Sequence, residues 1–327
     1  MNTPTILATA LACSALVQAR AVQDVNPQAA AQATAGRPTF RTTTEMVALN
    51  VTVVDSHQRD ITGLTSGDFA VYDDGVPQQL DFFGSGDVPI DLAVVIDTSS
   101  SMRQRLPVVQ KAAIRFVRVL RPIDRGEVIA FADGMQFLQP LTHDVGLLEH
   151  AIAGTKAGGY TSLFSTLYVV LKELARAGRG NSEVRRPAIV VLTDGADTAS
   201  PVTYDDVVEL IRRTGVAVYA ISIASSNPAG RPRADSKDRT LNPIDEDLKR
   251  LARESGGQAL FPLRLDELDQ VYERVAKELS TQYSMAYVPK RPPHGGGFHK
   301  LLVQVISRGD AFPRTRLGYV AERQDDP

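Results

Sequence analysis

Short apolar runs alternate with amphipathic stretches through the middle of the chain. Residues 93–96, 188–193 and 216–223 are nearly continuous apolar runs, which is the pattern of strands buried on both faces of a parallel sheet. Between such runs the apolar residues recur at helical spacing, as they do in residues 102–120. This alternation predicts an α/β fold with a doubly wound, mainly parallel sheet.

The segments on either side of this region carry a different pattern, in which β-branched and aromatic residues partly alternate with polar ones. The strands that this pattern predicts are residues 47–54, 61–65, 68–72, 79–83, 283–288, 299–307 and 316–320. Asp73-Asp74-Gly75 is a turn signal between two of them. We infer that the N- and C-terminal strands pair in a small β-sandwich-like domain into which the α/β domain is inserted, because termini that lie close together make such an insertion geometrically simple.

The first 21 residues have the pattern of a secretory signal peptide. Residues 6–17 are an apolar core too short for a convincing membrane span, and Ala-Arg-Ala at residues 19–21 offers small residues at cleavage spacing. No Lys or Arg precedes the apolar core, so an uncleaved apolar tail is one alternative, and a lipoprotein anchored through Cys13 in a poor lipobox is another. We expect an exported protein, periplasmic or extracellular, with no stable transmembrane helix after cleavage.

These patterns divide the chain into five segments. Residues 22–43 are rich in Ala, Gln and Pro without any periodicity, which is typical of a disordered linker. The expected order is a signal peptide at 1–21, this linker at 22–43, an N-terminal β segment at 44–86, the α/β domain at 87–281, and a C-terminal β segment at 282–322 that pairs with residues 44–86.

Composition narrows the range of partners. The chain has 36 basic and 38 acidic residues and a formal net charge of −2, so nothing in its charge indicates nucleic acid as a partner. Cys13 is the single cysteine and excludes an intramolecular disulfide. Export without disulfides is compatible with a bacterial periplasm or exterior.

Candidate chemistry lies directly after the first buried strand. Asp97, Ser99 and Ser101 occupy alternate positions of the turn that leaves this strand. One carboxylate and two hydroxyl groups can therefore converge just outside its carboxyl end, where open α/β sheets bind ligands. Oxygen ligands of low total charge suit a hard cation such as Mg²⁺ or Mn²⁺. The alternative is that Asp97 and Ser99 only cap the following helix.

Two further elements favour the cation. The strand at residues 188–193 is also followed by an aspartate, Asp194, and a glycine-rich loop places Thr161 just before a predicted helix. Taken singly, Thr161 could be a helix N-cap, and Asp194 with Gly195 could be a simple turn. Because all three elements occur together and in this order, the sequence predicts a metal site.

An Asp-x-Ser-x-Ser turn, a later Thr and an Asp-Gly after a strand follow the order of the metal-ion-dependent adhesion site. Over residues 89–279 the chain therefore resembles the von Willebrand factor type A domain. The resemblance implies a divalent cation, with Mg²⁺ expected and Mn²⁺ or Ca²⁺ as alternatives, held by Asp97, Ser99, Ser101, Thr161 and Asp194. It also implies a protein ligand that offers an Asp or Glu to complete the coordination shell.

The chain departs from this family directly after Thr161. The family commonly has an aromatic-Asp-Ala run where this chain has Phe164-Ser165-Thr166. The departure removes a carboxylate near the loop but no ligand. It therefore puts the packing of the helix and the details of the loop in question rather than metal binding.

The flanking β segments carry a second resemblance. Residues 53–55, 63–65, 68–75, 283–287 and 316–319 are similar to the corresponding parts of a bacterial, often acidobacterial, von Willebrand factor A-related family of exported proteins. Members of that family are largely without an assigned biochemical function. The second resemblance therefore identifies neither a partner nor a pathway.

Signals for an enzyme are weak. The sequence has no Walker-type phosphate loop, no Gly-x-Gly-x-x-Gly after a strand and no His-Glu-x-x-His, and its five histidines have no metal-ligand spacing. Asp133 and Asp197 fall near the rim of the candidate site by topology, and we interpret them as surface acids, with a role in tuning the site as the alternative. We therefore predict a protein-binding module and not an enzyme. The alternatives are a metal-dependent hydrolase, for which no general base near Asp97 is evident, and a scaffold that the metal only stabilises.

Overall fold

The computed structural model describes residues 46–178, 184–224, 226, 243–290 and 296–321. The expected signal peptide at residues 1–21 and the expected linker at 22–43 lie outside this part of the chain. Within it, every helix is too short or too polar to cross a bilayer.

Strands and helices alternate in the middle of the described chain, and strands alone occupy its two ends. The strands are β1 (Val47–Val54), β2 (Phe69–Asp73), β3 (Val76–Gln78), β4 (Phe82–Ser85), β5 (Ile90–Asp97), β6 (Arg125–Phe131), β7 (Met135–Thr142), β8 (Arg186–Thr193), β9 (Ala217–Ser222), β10 (Ala259–Leu260), β11 (Tyr283–Tyr287), β12 (Phe298–Val305), β13 (Phe312–Arg314) and β14 (Gly318–Val320). The helices are α1 (Leu106–Val117), α2 (Val145–Ala153), α3 (Leu163–Gly178), α4 (Tyr204–Thr214), α5 (Pro243–Ser255) and α6 (Leu268–Thr281).

The central sheet has six strands in the order β10-β9-β8-β5-β6-β7. All neighbouring pairs are parallel except β6 and β7, so β7 is an antiparallel edge strand. Every residue of β5 is buried, as expected for a strand covered on both faces.

Helices cover both faces of this sheet. Leu92, Val94 and Ile96 of β5 belong to one apolar core together with residues of α1, α2 and α6. Ala93 and Val95 belong to the opposite core together with residues of α3, α4 and α5. The alternation of side chains along one strand therefore supplies both cores.

The terminal strands form two four-stranded antiparallel sheets, in the orders β13-β1-β11-β4 and β14-β12-β2-β3. Val51 of β1 pairs with Tyr283 of β11, and Val71 of β2 pairs with Val303 of β12. Their inward side chains form a single core, so the two sheets pack face to face. This α/β domain with its small β-sandwich confirms the predicted fold class, whereas the segment boundaries stay predictions.

A buried polar network joins the sandwich to the α/β domain. The Glu278 carboxylate of α6 accepts hydrogen bonds from Tyr219 of β9 at 2.7 Å and from Thr52 of β1 at 3.2 Å, and it pairs with Arg314 of β13. The Gln282 amide donates to Tyr219 and Thr52 at 2.9 and 3.2 Å. The two parts of the fold therefore share a largely buried network of polar groups.

The N-terminal hairpin differs from its prediction. Asp73 pairs directly with Val76, and the two residues between them have positive φ angles, +46° at Asp74 and +78° at Gly75. A two-residue turn of this kind returns the chain at once, so the partner strand is β3 and not residues 79–83. Residues 61–65 were predicted as a strand but have no strand structure.

Candidate metal centre

The candidate centre lies where the order of the central sheet reverses. β5 has β6 on one side and β8 on the other, so the chain turns from one half of the sheet to the other at this point. Open α/β sheets bind ligands in the crevice outside the carboxyl ends of strands at such a position. Asp97 is the last residue of β5, and Asp194 directly follows β8. Both carboxylates therefore reach the same edge.

Asp97 is fully buried at this edge and accepts two hydrogen bonds. The backbone N–H of Ser99 donates to its Oδ1 at 2.8 Å, and the hydroxyl of Thr193 donates to its Oδ2 at 2.6 Å. Burial raises the pKa of the Asp97 carboxyl, although both hydrogen bonds oppose this rise. Because each of its oxygens already has a donor, Asp97 orders the turn and supplies negative charge beside the serine hydroxyls.

Three oxygen atoms form a continuous chain next to Asp97. The hydroxyl oxygens of Ser99 and Ser101 are 2.9 Å apart, and the Ser101 hydroxyl donates to Asp194 Oδ1 at 2.7 Å. In an octahedral Mg²⁺ site adjacent oxygens are about 2.9 Å apart, since each lies roughly 2.0–2.1 Å from the ion. The spacing and the chemistry of these oxygens therefore fit a small divalent cation.

Thr161 lies on a neighbouring loop. This loop is attached to the turn after β5, because the backbone N–H of Ser100 donates to the Gly159 carbonyl at 2.9 Å. The backbone N–H and carbonyl of Thr161 both bond to Thr198. In the part of the chain that the structure describes, no hydrogen bond joins the Thr161 hydroxyl to the other four predicted ligands. The structure thus connects those four and places Thr161 beside them, and their role as ligands stays a prediction.

Asp133 supports the loop that carries Thr161. Its carboxylate accepts a hydrogen bond from the backbone N–H of Tyr160 at 2.5 Å. Gly159 has a φ of +89°, and a Cβ atom there would lie 2.6 Å from Asp133 Oδ2. The loop therefore needs glycine at this position, and Asp133 has a structural role that its interpretation as a surface acid did not include. Tyr160 itself is 72% exposed.

Asp197 supports the helix that follows this loop. Its Oδ2 accepts a hydrogen bond from the backbone N–H of Phe164 in the first turn of α3 at 2.7 Å, and another from the Ser200 hydroxyl at 2.5 Å. The first N–H groups of a helix have no partner within the helix. Asp197 thus caps α3 from the segment that follows β8, and it links that segment to the Thr161 loop.

Arg105 is a part of the centre that sequence reasoning missed. Its guanidinium donates to Asp194 Oδ2 at 2.5 Å, where the Asp194 side chain is fully buried and that of Arg105 is 18% exposed. Arg105 directly precedes α1 and lies four residues after Ser101. This helical spacing from Ser101 is the one sequence signal that indicates its proximity.

Comparison of the sequence with known proteins identifies a family. The family model of the von Willebrand factor type A domain matches residues 91–274. A protein of Mycolicibacterium gilvum named UPF0353 protein is 26% identical over 200 residues, which are 57% of this chain and 59% of that protein. A Mycobacterium bovis protein of the same name is 26% identical over 201 residues with the same coverage. The chain therefore matches less than two thirds of the length of these curated relatives.

Solved structures show more distant likenesses. A von Willebrand factor type A structure from Catenulispora acidiphila is 12% identical, covers 87% of this chain and 76% of its own, and has a TM-score of 0.47. Proximal thread matrix protein 1 of the mussel byssus, with a zinc-occupied MIDAS motif, is 18% identical, covers 59% and 48%, and has a TM-score of 0.48. Since the family model covers more than half of the sequence, this chain belongs to the von Willebrand factor type A domain family.

Proposed function

We propose that this chain is an exported protein-binding module that holds a divalent cation at Asp97, Ser99, Ser101, Thr161 and Asp194 and uses it to engage an acidic residue of a partner protein. The observation that carries the proposal is the chain of oxygens from Ser99 through Ser101 to Asp194, whose consecutive atoms are 2.9 and 2.7 Å apart. Export rests on the signal-peptide pattern of residues 1–21.

The low charge of the ligand set explains why an acidic partner suits the site. Ser99 and Ser101 would contribute neutral hydroxyl oxygens, and Arg105 already balances the charge of Asp194. A cation held in this way keeps most of its positive charge and an open position, which a carboxylate from a partner can fill. Mg²⁺ is the expected ion because all of the donors are hard oxygen atoms.

The exposed rim supplies a surface for the partner. Tyr160 lies on the loop that carries Thr161, and the residue is 72% exposed. Tyrosine is enriched among the residues that contribute most to binding at protein interfaces. A partner whose carboxylate reaches the oxygen chain would therefore also contact Tyr160.

The surroundings of Asp97 favour binding over hydrolysis. A metal-dependent hydrolase needs a general base next to the cation. Among the described residues, the hydrogen-bond donors to the Asp97 carboxylate are the Thr193 hydroxyl and the Ser99 backbone, and neither is a base. We therefore propose a role without catalysis.

Metal binding is tested first, with a thermal melt of the purified chain in EDTA, Mg²⁺, Mn²⁺ and Ca²⁺. An ion at about 100 times its Kd adds about 2.7 kcal/mol of stability to a folded protein that binds it. We expect this gain for the natural sequence and for the control Ser280→Ala, and no gain for Ser99→Ala/Ser101→Ala. Equal gains in all three proteins would contradict the site.

Partner chemistry is tested by selecting peptides from a random display library in Mg²⁺ and eluting them with EDTA. We expect enriched peptides to contain Asp or Glu and to lose binding when that residue becomes Asn or Gln. Binding that survives EDTA, or enrichment without an acidic residue, would contradict cation-bridged recognition. Metal-dependent stability without any enriched peptide would instead support a scaffold that the cation stabilises.

A further inference from the structure

The β-sandwich brings together a second set of side chains of metal-ligating types, Asp73, Asp74 and His299. Asp73 ends β2, Asp74 begins the hairpin turn, and His299 lies in β12, the antiparallel neighbour of β2. Two hydrogen bonds attach the turn to Lys300 of β12. The Asp74 backbone N–H donates to the Lys300 carbonyl at 2.9 Å, and the Lys300 backbone N–H donates to Asp74 Oδ1 at 2.8 Å. The backbone thus fixes the position of Asp74 relative to His299.

The potential ligand atoms face one another. His299 Nδ1 lies 2.9 Å from Asp74 Oδ2 and 3.8 Å from Asp73 Oδ1, and one atom from each residue lies within 4.8 Å of the other two. Ligand atoms of a tetrahedral zinc site are about 3.3–3.6 Å apart, since each lies roughly 2.0–2.2 Å from the ion. The observed separations of 2.9 and 3.8 Å lie on either side of these values.

One oxygen of Asp73 gives independent support for a missing partner. The Asp73 side chain is only 6% exposed. Its Oδ2 accepts hydrogen bonds from Tyr287 at 2.8 Å and Tyr319 at 2.9 Å, whereas its buried Oδ1 has no hydrogen-bond partner among the described residues. A buried carboxylate oxygen without a donor is costly, and this one is directed toward His299.

Among the described residues, neither His299 nor Arg316 satisfies this oxygen. A proton on His299 Nδ1 would be donated to Asp74 Oδ2 at 2.9 Å. Asp73 Oδ1 lies 3.8 Å from the same nitrogen, which is beyond hydrogen-bond range. The nearby Arg316 donates to the Ala48 carbonyl at 2.9 Å, and its Cζ atom lies 5.5 Å from the centre of the Tyr319 ring. A metal ion at this position would contact both carboxylates and the imidazole at once.

We propose that Asp73, Asp74 and His299 form a second metal site, specific for a borderline divalent ion such as Zn²⁺. One imidazole nitrogen and two carboxylate oxygens suit zinc better than Mg²⁺, which prefers an all-oxygen shell. The His299 ring stacks on Tyr319 at a centroid distance of 5.1 Å, which fixes its orientation. The Asp74 side chain is 51% exposed, so water can fill the fourth position.

The site would link the N-terminal and C-terminal strands of the sandwich. Asp74 and His299 are 225 residues apart in the chain and belong to the N-terminal and C-terminal halves of the sandwich. An ion bound by both closes this long loop in the folded state but has no formed site in the unfolded chain. Its binding free energy therefore adds to the stability of the fold.

The experiment uses Zn²⁺ as the probe, in a chain whose first site is disabled by Ser99→Ala/Ser101→Ala. Isothermal titration and thermal melts are compared for this background, for the background with His299→Ala, and for the background with Asp74→Asn. We expect one bound Zn²⁺ in the background and an affinity at least about 100-fold lower in each variant, because loss of even an outer-shell partner costs 10–100-fold. Circular dichroism checks that both variants fold.

The matched control is His150→Ala, which removes an exposed histidine of α2. This variant should keep the bound Zn²⁺ and its thermal stabilisation. Co²⁺ provides a second readout, since a tetrahedral site with His299 gives visible absorption bands that His299→Ala should lose. Zn²⁺ binding unchanged by His299→Ala and Asp74→Asn, or reduced equally by His150→Ala, overturns the proposal.

Discussion

The guanidinium of Arg105 lies 2.5 Å from the carboxylate of Asp194, so the chain itself places a positive charge on one of the proposed ligands. Asp194 uses its other oxygen to accept from Ser101. The Arg105 guanidinium and the Ser101 hydroxyl therefore offset the cost of burying the Asp194 carboxylate even without a metal ion. The same arginine must repel a divalent cation bound at the neighbouring oxygens, so it lowers the affinity of the site for that cation.

We predict that Arg105→Gln binds Mg²⁺ about tenfold more tightly. A unit charge and a divalent ion roughly 5 Å apart repel by about 1.7 kcal/mol even in a water-like dielectric. In EDTA the variant should be less stable than the natural sequence, because Asp194 loses its ion pair. Isothermal titration with Mg²⁺ and melts in EDTA measure the two effects. Arg105→Lys keeps the charge and is the control, and an equal gain in affinity in both variants would refute the charge argument.

The loop that carries Thr161 offers a second test through two adjacent glycines. Gly159 has a φ of +89° and a Cβ there would meet Asp133, whereas a Cβ at Gly158 would have nothing within 4 Å among the described residues. We predict that Gly159→Ala weakens Mg²⁺ binding by about tenfold, because strain of roughly 1–3 kcal/mol displaces the loop. Gly158→Ala should bind as the natural sequence does. Equal Mg²⁺ affinity of the two variants in isothermal titration would show that this loop does not contribute to the site.

Local patterns predicted the strands and turns that build the first site. β5 and β8 contain continuous apolar runs that end at Asp97 and just before Asp194. Such runs are typical of buried parallel strands. The helices α2 and α4 each begin after a side-chain N-cap, Asp144 and Thr203, which is a local signal for the start of a helix. Such signals lie within a few residues of the feature that they predict.

The relationships that were missed depend on tertiary structure. Asp73 and His299 meet because β2 pairs with β12. The sequence predicted that N- and C-terminal strands pair, but no local pattern shows which residues then face one another. The strand β13 has only three residues, one of them Pro313, and too little sequence to show alternation. The pairing of Arg105 with Asp194 likewise depends on the adjacency of β5 and β8 in the sheet.

The buried network around Glu278 makes a prediction about cooperativity. Glu278 of α6 bonds to Thr52 and Arg314 of the sandwich and to Tyr219 of the central sheet. We predict that Glu278→Ala lowers the free energy of unfolding by about 3 kcal/mol, because it leaves buried donors and a cation without their acceptor. Urea unfolding followed by circular dichroism measures this loss.

The same variant should separate the two parts of the fold. If the network couples them, unfolding of Glu278→Ala shows two transitions where the natural sequence shows one. The control is Glu246→Ala, whose side chain is 47% exposed on α5 and which should change the stability by less than about 0.5 kcal/mol. A single transition with unchanged stability in Glu278→Ala would mean that apolar packing alone holds the parts together.

Glu127 in β6 gives the chain a specific dependence on pH. Its side chain is buried beside Asp91 and Glu173, and its Oε1 has no hydrogen-bond partner among the described residues. Burial, with smaller contributions from the two neighbouring acids, raises the pKa of Glu127 from an ordinary 4.5 to about 7. The folded protein therefore binds this proton more tightly than the unfolded chain does.

The sign of the effect follows from proton linkage. Below pH 4.5 Glu127 is protonated in both the folded and the unfolded state and does not change the stability. Between pH 4.5 and 7 the burial of the carboxylate increasingly destabilises the fold, and above pH 7 the loss reaches about 3 kcal/mol, since each pKa unit corresponds to about 1.4 kcal/mol. We predict that Glu127→Gln stabilises the protein at pH 8 by about 2–3 kcal/mol and has little effect at pH 4.5. Urea unfolding at both values measures this difference, with the exposed Glu209→Gln as control. Equal stabilisation at both pH values would mean that the Glu127 carboxyl does not titrate in this range.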